Sequence, residues 1–323
     1  MKILLHYFPS KLFLFFIIIL CIPAYGTENP TYVFLRNNVS ARATALAGGL
    51  LTTSNDINAM FYNPATLGTL SQPQASFGFY QNLLDVNAGH ASYGQEIPEI
   101  GYVGAGILFV DYGDFIRTDE YGAKLEPFSV LDFALNVGFA SKIEDEISLG
   151  GNLFVGGNLR LISSSIASAS SSAFAFDAGL LYQFPNERTG LAFSFLNIGT
   201  QLSSYGKTKE PLPTDLKFSL SHKPERLPVT LHLTFYRLNT EGDFSDKLTA
   251  FSFGGEFKIG QYVRARFGFD NQKRQDLKIT GGVGLAGFSL GGGISYEEYT
   301  IDYGVLMYGP IGSQNFFTVG MRL

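Results

Sequence analysis

Two glycine-framed stretches near the C-terminal end have spacings that chemistry uses. Gly282-Val283-Gly284-Leu285-Ala286-Gly287 has the glycine spacing of a dinucleotide-binding turn. That chemistry needs a strand before the glycines and a helix N-terminus after them, so that backbone N–H groups meet the pyrophosphate. More strand-like alternation follows instead, so the setting for a cofactor is missing. Gly287-Phe288-Ser289-Leu290-Gly291 has the spacing of an esterase nucleophile elbow, whose acid and histidine come after the serine. His90, His222 and His232 all precede Ser289, and the order fails. Glycines that ease strand curvature and close packing account for both stretches. The three histidines have no His/Glu spacing suited to a metal, and His232, among Thr230, Thr234 and Tyr236, reads as hydrogen-bonded structure. No catalytic, cofactor-binding or metal-ligating set emerges, and the chain reads as non-enzymatic.

The charges are the remaining chemistry. Asp132, Arg160, Asp177, Glu256, Arg264 and Arg266 lie within segments of period two, as do Lys217, Lys258, Asp302 and Arg322. Each occupies the parity opposite its segment's large apolar residues, and successive side chains of a strand point to opposite faces. Leu131–Phe139 is the clearest copy: Leu131, Phe133, Leu135, Val137 and Phe139 form one face, and Asp132 and Asn136 lie on the other. An Arg or Lys facing mid-bilayer costs roughly 2–4 kcal/mol, so this segregation suits a membrane wall with the charges in its lumen. A salt-bridged lumen and an ion-selective path both remain open. Matching of faces makes Ile259 pair with Val263, which sets Glu256 opposite Arg266 and Lys258 opposite Arg264. A lumen pair Glu256–Arg266 is expected, with Glu256 also near Arg264.

Composition agrees with a barrel. Charged residues make up 16% of the 323 residues and aromatics 15%, all Phe and Tyr, with 37 glycines; a soluble chain averages ~25% charged. Residues 1–26 read as a cleaved secretory signal peptide: Lys2 and Lys11 precede an apolar run, Leu12–Ile22, too short to span a bilayer, and Ala24-Tyr25-Gly26 precedes the cut. Cleavage removes the only cysteine and two lysines, leaving 21 basic against 28 acidic residues, a net charge of −7. That excludes disulfides from the mature chain and argues against a nucleic-acid partner. With no later apolar run near ~20 residues, the chain enters a membrane only as a closed barrel.

Residues 27–72 do not alternate. Ser54-Asn55-Asp56 offers helix caps ahead of Ile57, Met60 and Phe61, and Pro64 should end that turn at Asn63. A mostly irregular plug with one short helix is expected, carrying Asp56, Asn63 and Pro64. Residues 73–323 then hold fourteen strands of about ten residues, the length of a tilted membrane strand. A fifteenth would need a hairpin at Leu285-Ala286-Gly287-Phe288, which lacks a polar turn residue. Short turns at one end, such as Gly260-Gln261, contrast with longer links at the other. Gly113–Pro127, with Arg117, Asp119, Glu120, Tyr121 and Lys124, reads as a large charged loop, and Ser163–Ser171 as a flexible one. Short periplasmic turns and longer outer loops belong to an outer-membrane barrel.

Asp56–Leu67 resembles the hatch of FadL-like outer-membrane proteins. Thr31–Leu35 with Ser40–Leu46, Asp111–Phe115 with Thr118–Gly122, Asn197–Leu202, Glu210–Pro213 and Leu285–Ser289 resemble the PorV/PorQ family. The likeness spans the mature chain. It implies a fourteen-stranded barrel with an N-terminal plug, in the outer membrane of a Gram-negative-type bacterium, serving the type IX secretion system. It also implies a PorZ-like surface protein as partner, with other members of the cargo attachment complex beside outer-membrane lipid. One departure is Leu323, where barrel assembly signals usually end in Phe; slower recognition by the assembly machinery is expected. The alternative reading of the same plug-and-barrel layout is a FadL-type channel for uptake of hydrophobic small molecules.

Overall fold

The computed structural model describes residues 30–81, 86–143, 150–278 and 284–323. The segment read as a signal peptide and Gly282-Val283 of the glycine pattern therefore lie outside the described residues. Fourteen antiparallel strands close into one barrel, each pairing with its chain neighbours and β1 (Gln74–Gln81) closing on β14 (Ser313–Arg322). Closure leaves no sheet edge around the ring, which lipid requires because it offers the backbone no hydrogen bonds.

Alternation decides the faces. In β4 (Lys124–Ile143), Leu131, Phe133, Val137 and Phe139 are exposed on the outside, whereas Asp132 and Asn136 are buried inside. The outer wall carries cross-strand aromatic pairs, among them Phe193–Phe218 at 4.8 Å, Phe269–Phe288 at 5.0 Å and Tyr303–Phe317 at 4.9 Å. Tyr262, Tyr296 and Tyr299 are exposed at the short-turn end, where barrels place an aromatic girdle.

The barrel is lopsided. Strands β3 (Gly101–Thr118), β4, β5 (Asn152–Ile166), β6 (Ala169–Gln183) and β7 (Thr189–Ser203) run 15 to 20 residues. Strands β8 (Asp215–His222) to β14 run 7 to 10. A span takes about ten residues, so β3–β7 stand above the rest as a raised wall. This corrects two expectations. Gly113–Pro127 is strand on both sides of a five-residue turn, 119–123, in which Asp119 Oδ1 accepts from the N–H groups of Tyr121 and Ala123 at 2.9 and 2.8 Å. Ser163–Ser171 is strand too: Ile166 pairs with Ala169 across a two-residue turn, and Ala167 adopts φ 54° there. Above the membrane neither face needs apolar residues, so the contrast that reveals a strand in sequence disappears while the ladder continues.

On the low side the outer links carry short helices, Phe244–Lys247 and Asn271–Asp276, that alternation did not reveal. Residues 284–287 form a turn, and strand β12 (Phe288–Tyr296) follows it.

Residues 30–72 fill the lumen. Asp56 caps a 3₁₀ turn at Ile57–Phe61 by accepting from the Asn58 N–H, and Asn63 caps the next, Pro64–Thr69, with Pro64 at its first position. Two further short helical turns, Val33–Arg36 and Ala41–Ala45, exceed the single helix expected. Leu46, Leu50, Leu51, Met60 and Leu67 are almost fully buried, each contributing about 1.5–3 kcal/mol by leaving water. The plug fits because the wall opposite it is glycine. A Cβ on Gly156 would stand 2.6 Å from Pro64 C, and one on Gly179 would collide with Asn63 Oδ1.

Candidate functional site: the plugged lumen and its raised rim

Alternation along β5, β6 and β4 aims Arg160, Asp177 and Asn136 at one point inside the barrel. The Arg160 guanidinium donates to Asp177 Oδ2 at 2.8 Å and to Asn136 Oδ1 at 2.6 Å, and also to Asn197 Oδ1. Asp177 Oδ1 accepts from the Asn197 N–H at 2.7 Å. The Arg160 and Asp177 side chains are 2% and 0% exposed. A charge pair so far from water persists only with every polar atom engaged, and four strands supply the partners.

Asn197 explains the network's shape. Register between β6 and β7 slips from Phe176↔Ile198 to Ala178↔Phe195, so β7 bulges at Leu196–Asn197, and Asn197 has φ 59°. Pairing of β7 with β8 stops at Leu196↔Asp215. Beyond that point the segment 210–214 stands in for a strand. Asn197 Nδ2 donates to Pro213 O at 3.1 Å, the Glu210 N–H donates to Gln201 Oε1 at 2.7 Å, and Leu212 is 2% exposed. The Thr31 N–H of the plug donates to Pro211 O at 3.0 Å. Two prolines there lack the N–H that a ladder would use.

A second network ties the plug to the opposite wall. Arg266 bonds Glu256 at 2.6 Å and Asp302 at 2.5 Å. Arg42, from the Ala41–Ala45 helix, takes both oxygens of Glu256, at 2.8 and 2.9 Å, and Asp56 at 3.0 Å. Burial disfavours charge on Arg42, but Glu256 and Asp56 outweigh it and its pKa is raised. The hairpin register is Ile259↔Val263 with Glu256↔Arg266. Arg264 departs from expectation: its guanidinium donates to Val263 O rather than joining Glu256, because Arg42 occupies that carboxylate. Sequence alone did not single out Arg42; a lone arginine in the small, apolar run Ser40–Leu46 was its one signal.

Other residues are placed as follows. Asp132 accepts from Tyr112 OH at 2.9 Å and from Ser164 Oγ. His232 shares a hydrogen bond with Thr52 Oγ1 at 3.3 Å. Ser289 donates to Ala45 O at 3.3 Å, so it seats the plug, and β12 rather than a helix follows Gly287. Asn63 donates to Leu51 O and Leu180 O at 2.9 and 3.0 Å. Arg117, Asp119, Glu120, Tyr121 and Lys124 crown the β3–β4 hairpin, with Phe115, Ile116, Tyr121 and Leu125 exposed around them. Among the described residues no group of three or more His, Cys, Asp or Glu side chains could hold a metal.

Three cavities among the described residues are lined mainly by polar side chains. One of about 250 Å³ lies at the short-turn end among Arg42, Asp56, Glu256, Arg264, Arg266 and Asp302. Another there, about 730 Å³, is lined by residues such as Thr52, Gln183, Arg188 and Lys223. A third, about 240 Å³, opens at the outer mouth beside Arg36, Asn38, Lys217 and Arg237. The apolar recess between Phe34, Val39, Tyr80, Leu108 and Val110 measures only about 10 Å³.

A closed fourteen-stranded barrel with an N-terminal plug and an apolar outer belt has the fold of FadL-like outer-membrane barrels. Among solved structures it is similar to the Pseudomonas putida toluene transporter TodX, with a TM-score of 0.55 and 12% identity over 88% of this chain and 99% of that one. It is also similar to a FadL homologue of Pseudomonas aeruginosa, with a TM-score of 0.50 and 12% identity over 88% and 98%. The CymD monoaromatic hydrocarbon channel gives a TM-score of 0.55 and 14% identity over 91% and 97%. At such identities the likeness is one of fold alone, and it does not reach the PorV/PorQ family in particular. No family model and no curated protein matches the sequence.

Proposed function

We propose that this protein is a non-enzymatic, plugged outer-membrane barrel that anchors a surface protein, a PorZ-like member of the type IX secretion attachment complex, on its outer face. The observation that carries this reading is the raised β3–β7 wall, with Phe115, Ile116, Tyr121 and Leu125 exposed beside the charges of its crest. Apolar side chains rimmed by charge above the membrane suit a protein partner. The lumen supports the same reading: ion pairs fasten the plug, and its cavities are polar where an apolar solute would need an apolar path.

A second reading has its own support. The matched structures include hydrocarbon channels, which favours uptake of hydrophobic molecules, and the bulge at Asn197 with the missing β7–β8 pairing above it gives that reading a sideways exit. Fold alone does not carry function, and the polar cavities weigh against it. Gentle detergent extraction and affinity capture separate the two. The full chain is compared with a variant whose residues 117–124 are replaced by a two-residue turn. A surface protein that co-purifies with the full chain and is lost from the variant supports the anchor. A stoichiometric hydrophobic molecule with no partner in either sample overturns it in favour of the channel.

A further inference from the structure

The outer-mouth cavity of about 240 Å³ is lined by four cationic side chains, Arg36, Lys217, Arg237 and Lys273, against three carboxylates, Asp215, Asp270 and Asp276, the last accepting from Gln272 Nε2 at 2.8 Å. Asp215 is engaged already: Oδ1 accepts from the Arg237 N–H at 2.6 Å, and Oδ2 meets Lys217 Nζ at 3.4 Å. Asp270 is likewise engaged, by Tyr236 OH and by the Lys273 N–H, with Lys273 Nζ 3.8 Å away. The two guanidiniums that share the cavity, Arg36 from the plug and Arg237 from just beyond β9 (Val229–Phe235), make no ion pair among the described residues. Arg36 Nε is buried without a hydrogen-bond partner, and one of its other nitrogens reaches only Thr214 O, at 3.5 Å. Asn38, 8% exposed in the same lining, has an amide nitrogen with no partner either. A native interior leaves few buried donors unmet, and two of them, Arg36 Nε and Asn38 Nδ2, belong to residues that line this one cavity.

We propose that this cavity binds a small free oxyanion, a carboxylate or a phosphate, held between the Arg36 and Arg237 guanidiniums with Asn38 Nδ2 as a third donor. Guanidinium forks match both oxyanions in geometry. The volume falls just below the ~300 Å³ where drug-sized ligand pockets begin, which suits a small anion and excludes an acyl chain. Burial and the neighbouring Arg237 lower the Arg36 pKa by more than Asp215 raises it, a burden that a bound anion relieves. The site also couples plug to wall, since Arg36 comes from residues 33–36 and Arg237 from the barrel. The inference stands apart from the anchoring and uptake readings, because neither requires an anion at the mouth.

The test uses the full chain in detergent micelles, titrated by calorimetry with inorganic phosphate and, separately, with succinate at constant ionic strength. Constant ionic strength removes general screening. Saturable binding of at least one anion is expected, weakened about tenfold in Arg36→Gln or Arg237→Gln and lost in the double variant. Arg237→Lys should fall between, since it keeps charge but loses the fork. Lys223→Gln, at the opposite end of the barrel, should bind like the parent. Heat-modifiable migration in SDS gels verifies that each variant is a folded barrel. Absence of saturable binding for both anions, or equal binding by the folded double variant, overturns the proposal.

Discussion

Arg160→Met is the sharpest probe of the lumen. Arg160 and Asp177 are almost wholly removed from water, and removing one member of such a pair leaves an uncompensated charge that costs roughly 3–5 kcal/mol. Asp177 would keep the Asn197 N–H at 2.7 Å and the long Asn158 amide contact at 3.5 Å, which argues for the lower end. Two amide oxygens, Asn136 Oδ1 and Asn197 Oδ1, would lose their donor at the same time, and each stranded acceptor adds about 1 kcal/mol or more. The expected loss is therefore about 5 kcal/mol or slightly more. Arg160→Met combined with Asp177→Asn removes the stranded charge, while the oxygen of the new amide still accepts from the Asn197 N–H. The pair of changes should recover about 2 kcal/mol relative to the single variant, since neutral replacement of a buried pair is far milder than breaking it. Urea unfolding in lipid vesicles, followed by tyrosine fluorescence and gel mobility, measures both. A single variant within about 1 kcal/mol of the parent, or a double variant no better than the single, would refute the claim that a desolvated pair locks β4–β7 together.

Two further perturbations read other parts of the molecule. Val137→Arg, on a side chain 53% exposed to the outside, should cost roughly 2–4 kcal/mol of insertion free energy, whereas Asp132→Asn in the lumen should insert into vesicles almost as the parent does; equal losses would mean the outer face does not meet lipid. Gly156→Ala would drive a Cβ to 2.6–2.7 Å from backbone atoms of Pro64 and Ala65, and overpacking of about 1–3 kcal/mol should loosen the plug and raise its protease sensitivity; Gly206→Ala, with no atom within 4 Å of the new Cβ, is the matched control, and an identical digestion pattern for both would remove glycine as the reason the plug fits.

The barrel was legible because lipid enforces period two: Leu131–Phe139 cannot hold a charge on its outer parity without the cost above. That constraint ends where the membrane ends. Asp114, Arg117, Lys124 and Glu126 lie on strands that have risen clear of lipid, so their mixed parity read as a loop. Ser163–Ser171 hid for the related reason that serine and alanine give a ladder no apolar contrast. The lumen charges could be assigned a face, and Glu256–Arg266 even a register, from local pairing. Arg42 could not, because its partner Glu256 lies 214 residues away and no sequence period connects a plug to a wall. Asn136, Asn158 and Asn197 were visible only as polar residues; that they complete the shell of Arg160 and Asp177 follows from curvature and from a bulge, neither of which is written in alternation. Asp270 carries a helix-cap signal that was masked by its second position, at the end of β11 (Val263–Asp270).

The bulge also bears on whether the wall opens at rest. For a solute to leave between β7 and β8, the segment 210–214 has to withdraw. That breaks the Thr31–Pro211, Asn197–Pro213 and Glu210–Gln201 hydrogen bonds, each contributing about 0.5–1.5 kcal/mol net. It also exposes Leu212, which contributes about 1.5–3 kcal/mol by burial. Together these set an opening cost of roughly 3–7 kcal/mol, so the open state is about one molecule in a hundred to one in a hundred thousand. A channel tolerates such a gate only if its solute binds the open state more tightly by a similar amount, and that needs apolar surface waiting behind the gate. Behind this one stand Arg160, Asp177 and Asn197, fully paired and desolvated. The gap in the strand ladder is thus better suited to holding the outer rim in shape than to passing a hydrocarbon.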